Sequence, residues 1–132
     1  MNTERVDPLV DPSSKKPVVL VVEDEPLILM NAMEIVADGG FEALGAANAD
    51  QAIRILENRD DISLVFTDVN MPGSMDGLKL ARAVRGRWPP IRIIVTSAFR
   101  LAEEGELPEG GRFFKKPYVP AQITDAIREL IA

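Results

Sequence analysis

The sequence contains neither cysteine nor histidine, and each absence excludes whole classes of chemistry. Without cysteine there are no disulfides, no thiolate metal ligands and no cysteine nucleophile, a composition that fits the reducing cytoplasm, where we expect the protein to act. Without histidine there is no histidine general base, no serine–histidine triad and no phosphohistidine carrier. Any phosphoryl chemistry must therefore depend on carboxylates, hydroxyls and lysine.

Long apolar runs and an excess of positive charge are also missing. The longest runs, Val18 to Val22 and Leu27 to Met30, are far too short to span a membrane. The formal charge is -6, so we expect no direct binding to nucleic acid and no insertion into a membrane. Residues 1–16 are polar and lack the apolar stretch of a secretory signal. They predict a flexible tail, followed by one domain over residues 17–132.

Short apolar, branched runs alternate with helical patterns from Pro17 onwards. The runs predict five strands: Val18 to Val22, Phe41 to Ala46, Leu64 to Thr67, Ile91 to Thr96 and Gly111 to Phe114. An uninterrupted apolar run such as the first is typical of a central strand that is buried on both faces. The alternation predicts an α/β fold, a doubly wound five-stranded parallel sheet with helices on both faces.

Residues that favour helix ends predict four helices. Their starts are assigned to Pro26, Asn48, Asp76 and Pro120. We expect Gly39 to close the first helix in the left-handed conformation, and Gly86 with the following prolines to break the third. Residues 99–111 hold three glycines and a proline, which cost about 1 and about 3 kcal/mol in a helix interior. The fourth helix of the winding should therefore be short or degenerate.

Polar residues follow the predicted strands at the edge where a doubly wound sheet builds its site. Asp24 follows the first strand, Asp68 the third and Lys116 the fifth, and Ser97 ends the fourth. A single carboxylate there could simply cap the next helix. However, Asp24 and Asp68 should meet across adjacent strands, and two neighbouring carboxylates repel each other unless a cation lies between them. Magnesium, which prefers hard oxygen ligands, is the natural cation.

Phosphoryl transfer needs an oxygen nucleophile, a metal ion and a fixed positive group. Asp68, the metal and Lys116 would supply these in turn. A lysine at a strand end is more often a solvated surface residue, but Pro117 holds the chain extended and fixes where Lys116 starts. Lys115 should point to the opposite side, because successive side chains of an extended strand alternate.

Five segments in this order and spacing resemble the receiver domain of two-component response regulators. They are Val21-Val22-Glu23-Asp24-Glu25-Pro26, Phe66-Thr67-Asp68-Val69-Asn70-Met71-Pro72-Gly73, Asp76-Gly77, Thr96-Ser97-Ala98 and Phe113-Phe114-Lys115-Lys116-Pro117. The resemblance covers residues 17–132 and implies a flavodoxin-like receiver fold like that of single-domain chemotaxis regulators. It implies a signalling protein that is not an enzyme beyond its own phosphorylation and dephosphorylation.

The resemblance also implies roles for individual residues. Asp68 would be the phosphoacceptor, and Asp24, Asp68 and the backbone carbonyl of Asn70 would bind Mg²⁺ or Mn²⁺. Glu23 would occupy the outer acidic position and reach the metal directly or through water. Lys116 would pair with the phosphoryl oxygens.

A switch and partners are implied as well. Ser97 would donate its hydroxyl to the phosphoryl group while Phe113 changes rotamer, although each could be an ordinary strand residue. The phosphoryl group would come from a histidine kinase or a histidine phosphotransfer protein, and an unknown downstream protein would read the result. Because the sequence ends soon after the last helix, we expect a single-domain regulator or a phosphate sink, with a fragment of a larger regulator as the alternative.

The sequence departs from the usual receiver pattern in four places. Glu23 stands where aspartate is commoner, and Ser74 is an additional residue in the loop after Asn70. The linker from Ser97 to Lys116 is short, and the bulky Phe99 could shield an acyl phosphate from water. Two other functions stay open. One is a binding module with the receiver fold that works without phosphorylation, and the other is a phosphatase of the haloacid dehalogenase type. The latter would need a second acid where Asn70 stands.

Overall fold

The structure, a computed structural model, describes residues 16–71, 73, 75–98 and 107–132. Strands and helices alternate through these residues, as the sequence predicts. The elements are β1 (Val18–Val22), α1 (Pro26–Asp38), β2 (Glu42–Ala46), α2 (Ala49–Asn58), β3 (Ile62–Asp68), α3 (Gly77–Arg87), β4 (Arg92–Ser97), β5 (Arg112–Lys115) and α4 (Pro120–Ile131).

The five strands form one parallel sheet in the order β2-β1-β3-β4-β5. All five residues of β1 are buried, which confirms the central position that its uninterrupted apolar run predicts. The chain reverses its direction of winding between β1 and β3. In doubly wound sheets the ligand crevice opens at this switch point, outside the carboxyl ends of the strands.

Helices cover both faces of the sheet and create two hydrophobic cores. On one face α2 and α3 pack against the sheet through buried residues such as Leu56 and Leu80. On the other face α1 and α4 pack through residues such as Val36, Ile123 and Ile127. The prediction of a doubly wound α/β fold is confirmed.

The predicted left-handed residue at the end of α1 is wrong by one position. Gly39 has φ -77° and ψ -4° and continues the helical path, whereas Gly40 has φ 98°. Gly39 is required for a different reason, because a Cβ atom there would lie 2.7 Å from Cγ2 of Thr124 in α4. Gly39 therefore allows close packing of α1 against α4, and Gly40 allows the chain to reverse its direction.

The predicted break at Gly86 is also wrong, since α3 continues through this residue to Arg87. Gly86 is exposed and costs the helix only about 1 kcal/mol relative to alanine, which the rest of the helix can tolerate. Trp88, the C-cap residue of α3, stands directly before the two prolines. The Arg87 guanidinium lies 4.4 Å from the centre of the Trp88 ring and 2.8 Å from a carboxylate oxygen of Glu57 in α2.

Strands β2 to β5 differ from the predicted bounds by one or two residues, and the ends of β3 and β4 matter for the site. β3 begins at Ile62 and includes Asp68, and β4 includes Ser97. These two polar residues therefore belong to the hydrogen-bonded ladder instead of the loops that follow it. β2 begins at Glu42, while Phe41 is buried just before it.

Some predictions fall outside the described residues. These are the tail before Lys16, the additional residue Ser74, Phe99 as a shield of the acyl phosphate, and residues 99–106 of the segment 99–111 in which a short or degenerate helix is expected. Residues 107–111 are described and form a turn in which the Gly111 amide donates to the Pro108 carbonyl at 3.0 Å. Within the described ranges, none of the helices has the length and apolar character that crossing a membrane requires.

Candidate functional site

Three carboxylates meet at the carboxyl ends of β1 and β3. Oxygen atoms of Glu23, Asp24 and Asp68 all lie within 4.8 Å of one another. Glu23 and Asp68 are 5% and 7% exposed, whereas Asp24 is open to solvent. The structure thus brings together Asp24 and Asp68, because β1 and β3 are adjacent and end at the same level.

The backbone around Asp68 is held firmly by its neighbours. Asp68 pairs with Thr96 in the ladder, and the Val69 amide donates to the Thr96 carbonyl at 2.8 Å. The Thr67 hydroxyl donates to the Asp68 carbonyl at 3.0 Å. With its main chain fixed at the strand end, the Asp68 carboxylate has a defined direction.

Lys116 lies between two of the three carboxylates. Its Nζ is 2.8 Å from Oε1 of Glu23 and 3.1 Å from Oδ1 of Asp68. Its backbone amide donates to the Ser97 carbonyl at 2.9 Å, and the peptide bond to Pro117 is cis. Lys115 is exposed at the end of β5. Of the two lysines, the structure therefore brings only Lys116 into the acidic site.

The contact between Glu23 and Lys116 was not predicted from the sequence. The extra methylene of glutamate lets Oε1 reach the ammonium, while Oε2 accepts from the Glu25 amide at 3.3 Å. The presence of glutamate where aspartate is commoner was the signal that could have pointed to this contact. Glu23 anchors Lys116 and still keeps an oxygen within the carboxylate trio.

The site carries more negative charge than its lysine can neutralise. Burial raises the pKa of Asp68; the Lys116 ammonium opposes this rise, and the charge of Asp24 adds to it. Burial also raises the pKa of Glu23, with Lys116 opposing and Asp68 adding. Burial alone would lower the pKa of Lys116, but the hydrogen bond that its ammonium donates to Glu23 and the charge of Asp68 raise the pKa above its ordinary value. The unfavourable repulsion favours a bound cation.

The donor set fits a hard divalent cation. Carboxylate oxygens are the ligands that Mg²⁺ prefers, and this ion keeps several waters, so a site that is open on one side suits it. Asp24 and Asp68 could hold such an ion, with Glu23 beside them. The role of the Asn70 carbonyl stays a prediction; Asn70 lies two residues after Asp68 and is exposed.

Ser97 is fully buried at the end of β4, and its hydroxyl oxygen accepts a hydrogen bond from the Asn70 side-chain amide at 3.3 Å. This contact, which the sequence did not predict, connects the loop after Asp68 to β4. Phe113 is partly buried against the α2 and α3 face and pairs with Val95. Its role in a switch stays a prediction.

Tyr118 was explained from the sequence by packing alone, and the packing is there. Its ring centre lies 5.7 Å from that of Phe66 at an angle of 60°. Burial raises the pKa of the Tyr118 phenol, the positive charge of Lys116 opposes this, and the charges of Glu23 and Asp68 add to it. The charges of the acidic site therefore influence the pKa of this phenol.

Comparison with known proteins connects this geometry to a family. The model of the response regulator receiver domain matches residues 19–128. The hydrogenase transcriptional regulatory protein HoxA of Cupriavidus necator is 34% identical over 123 residues, which is 90% of this chain and 25% of HoxA. The sensor kinase CckA of Brucella abortus is 31% identical over 119 residues, 86% of this chain and 12% of CckA. The chain therefore spans only a minor part of these two relatives.

Solved structures agree with this comparison. A response regulator receiver protein from Pseudomonas putida is 27% identical, with a TM-score of 0.77 over 88% of this chain and 98% of that one. The response regulator TrrA of Thermotoga maritima, solved in complex with Mg(2+)-BeF, shares the fold at 24% identity, with a TM-score of 0.76 over 86% of this chain and 98% of TrrA. Trios of acidic residues like Glu23, Asp24 and Asp68 are typical of receiver Mg²⁺ sites. From its sequence match and its fold, the chain belongs to the response regulator receiver family, whose members are signalling modules that pair with histidine kinases and are not enzymes.

Proposed function

We propose that this receiver accepts a phosphoryl group on Asp68 from a phosphohistidine of a histidine kinase or a histidine phosphotransfer protein. The observation that carries the proposal is the position of the Lys116 ammonium, 3.1 Å from Oδ1 of Asp68 beside two further carboxylates. A nucleophilic oxygen, a fixed cation and an oxygen-rich metal site are thereby held together at one strand end.

In the transfer, an Asp68 carboxylate oxygen attacks phosphorus and forms the new P–O bond. The P–N bond of the donor breaks, its electron pair returns to the imidazole, and the imidazole nitrogen takes up a proton from solvent. Lys116 pairs with the phosphoryl oxygens as they arrive, and Glu23 keeps the ammonium in place. A divalent cation bound by Asp24, Asp68 and the Asn70 carbonyl would neutralise charge on the transferring group.

The acyl phosphate would then change the surface of the domain through Ser97 and Phe113. The hydroxyl of Ser97 accepts from Asn70 at 3.3 Å, and a phosphoryl oxygen on Asp68 offers it a charged acceptor. A bias of about 5 kcal/mol between two arrangements is enough to reverse their populations almost completely. An unknown downstream protein would read this change.

Asp68→Asn tests the acceptor directly. The protein incubated with acetyl phosphate and Mg²⁺ should gain the mass of one phosphoryl group in intact mass spectrometry, and Asp68→Asn should gain none, because an amide oxygen is a poor nucleophile. Asp38→Asn, which changes an exposed aspartate at the end of α1, is the matched control and should gain the group normally. A mass gain that survives in Asp68→Asn contradicts the proposal.

The phosphodonor would approach over the start of α1. Leu27 and Met30, three residues apart on one face of this helix, are 72% and 56% exposed, and α1 begins two residues after Asp24. Exposed apolar side chains of this size beside a functional site favour a protein contact. The partner surface and the acceptor would then lie at the same end of the sheet.

Leu27→Glu should separate docking from chemistry. We expect phosphoryl transfer from a phosphorylated histidine phosphotransfer domain to slow at least about tenfold, since a charge replaces a buried contact worth over 1 kcal/mol. Labelling by acetyl phosphate, which needs no docking surface, should not change. Ala37→Glu adds the same charge at the far, exposed end of α1 and controls for net charge. If Leu27→Glu slows both donors equally, the docking role is wrong.

A further inference from the structure

Gly77, the first residue of α3, is packed against the backbone at the end of β3. A Cβ atom added at this position would overlap the carbonyl oxygen of Asp68 and would lie 2.9 Å from the Cα atom of Val69. These neighbours are backbone atoms, which cannot move aside as a flexible side chain can. Gly77 itself is buried.

The reason for glycine here is space and not an unusual backbone angle. The described glycines with positive φ are Gly40, Gly73 and Gly110, and Gly77 is not one of them. Gly86, in the same helix, shows the contrast, because a Cβ atom there would have no neighbour within 4 Å. Of the two glycines in α3, Gly77 is the one that requires its missing side chain, because two backbones approach each other closely there.

A hydrogen bond closes the same contact. The Gly77 amide donates to the Val69 carbonyl at 2.9 Å, and the preceding Asp76 caps α3 by accepting from the Lys79 amide at 2.9 Å. The two ends of the loop that carries Asn70, at Val69 and Gly77, are therefore held together next to Asp68. The contact between Gly77 and the Asp68–Val69 backbone joins them.

We propose that Gly77 is a positioning residue for the phosphoacceptor, an inference that rests on the function proposed for Asp68. By allowing α3 to contact the strand backbone, it sets the direction of the Asp68 carboxylate and of the Asn70 carbonyl. Mg²⁺ demands near-ideal octahedral geometry at about 2.0–2.1 Å, so small shifts of its ligands matter. A displacement of about 1 Å can slow a positioned reaction about a hundredfold.

The test compares Gly77→Ala with Gly86→Ala, two identical changes in one helix. For Gly77→Ala we expect a Kd for Mg²⁺, measured by titration calorimetry, that is at least about tenfold higher. The rate of phosphorylation by acetyl phosphate at saturating Mg²⁺ should fall at least about tenfold. Gly86→Ala should match the wild type in both. Urea unfolding of each variant reports the folded fraction.

Two outcomes of this comparison overturn the inference. One is a folded Gly77→Ala protein that binds Mg²⁺ and accepts the phosphoryl group like the wild type. The other is a loss of stability alone, with normal Mg²⁺ affinity and normal rate in the folded fraction, since that result assigns Gly77 a purely structural role.

If Gly77→Ala does not fold, a measurement on the wild-type protein tests the inference instead. In ¹⁵N–¹H spectra, the Gly77 amide should shift during Mg²⁺ titration with the same Kd as the Val69 amide, while the Gly86 amide stays unchanged. A Gly77 amide that does not respond overturns the inference. A wild-type protein that binds Mg²⁺ but takes no phosphoryl group contradicts the proposed function of Asp68, and the Mg²⁺ measurements on Gly77→Ala then decide the positioning role separately.

Discussion

Lys116→Met should destabilise the metal-free protein by about 2 kcal/mol at neutral pH. The substitution keeps much of the apolar stem and removes the ammonium that lies 2.8 Å from Glu23 and 3.1 Å from Asp68. Both carboxylates are largely buried, and removal of one partner from a buried ionic group leaves uncompensated charge, which costs about 3–5 kcal/mol when burial is complete. The partial exposure of Lys116 reduces this value.

The stability that Lys116→Met loses should grow as the pH rises from acid to neutral. Burial raises the folded-state pKa values of Asp68 and Glu23 above their unfolded values, so the folded protein binds more protons in this interval. The free energy of unfolding therefore falls as the pH rises through it, and more steeply when Lys116 is absent. Saturating Mg²⁺ should restore much of the lost stability, because it supplies positive charge at the same carboxylates.

Urea unfolding in EDTA and in Mg²⁺ measures both effects. Lys115→Met is the matched control, since this neighbouring lysine is exposed at the end of β5 and should change the free energy of unfolding by less than about 0.5 kcal/mol. Equal destabilisation by the two variants would show that the ammonium between Glu23 and Asp68 has no special electrostatic role.

Asp24→Asn should weaken Mg²⁺ binding by about a hundredfold or more. Loss of groups that only orient metal ligands already costs about 10–100-fold in affinity, and Asp24 is proposed here to bind the metal itself. In the absence of metal, the same substitution should have a favourable effect, on the stability of the folded protein. The charge of Asp24 raises the pKa of Asp68, so its removal relieves repulsion and makes the metal-free protein slightly more stable.

Titration calorimetry with Mg²⁺ and urea unfolding in EDTA measure these opposite changes. Glu25→Gln removes the next carboxylate along the chain, which lies outside the trio, and should leave the affinity almost unchanged. A variant Asp24→Asn that binds Mg²⁺ as tightly as the wild type would show that the ion, if bound, is held elsewhere.

The sequence predicts the features that depend on periodicity. The uninterrupted run of β1 and the alternation of strands with amphipathic helices were enough for the sheet and its two covered faces. The meeting of Asp24 and Asp68 followed from the same information, because parallel neighbours end at one edge. Prolines and Asn48 marked helix starts correctly, and the Asn48 side chain accepts from the Gln51 amide at 2.8 Å.

The features that the sequence did not predict depend on how elements approach one another. The contact between Glu23 and Lys116 depends on the rotamers of two side chains that follow β1 and β5 and are 93 residues apart in the sequence, which no local pattern encodes. Gly39 and Gly86 were assigned from the propensity of glycine to end helices. At position 39, however, glycine is required because it packs against Thr124. At the exposed position 86, the helix continues because it tolerates the small cost of a glycine. The need for glycine at position 77 also arises from tertiary contact, because the Asp68 backbone leaves no room for a Cβ atom there.

The position of Trp88 has a consequence for spectroscopy. It is the one tryptophan of the chain, and it stacks under Arg87 where α3 ends, beside the start of β4. Asp68 lies at the opposite end of the sheet, about 20 Å away along six residues of β3 at about 3.3 Å each. Indole fluorescence therefore reports unfolding without a direct contribution from metal binding, so the same emission signal can be followed in EDTA and in Mg²⁺.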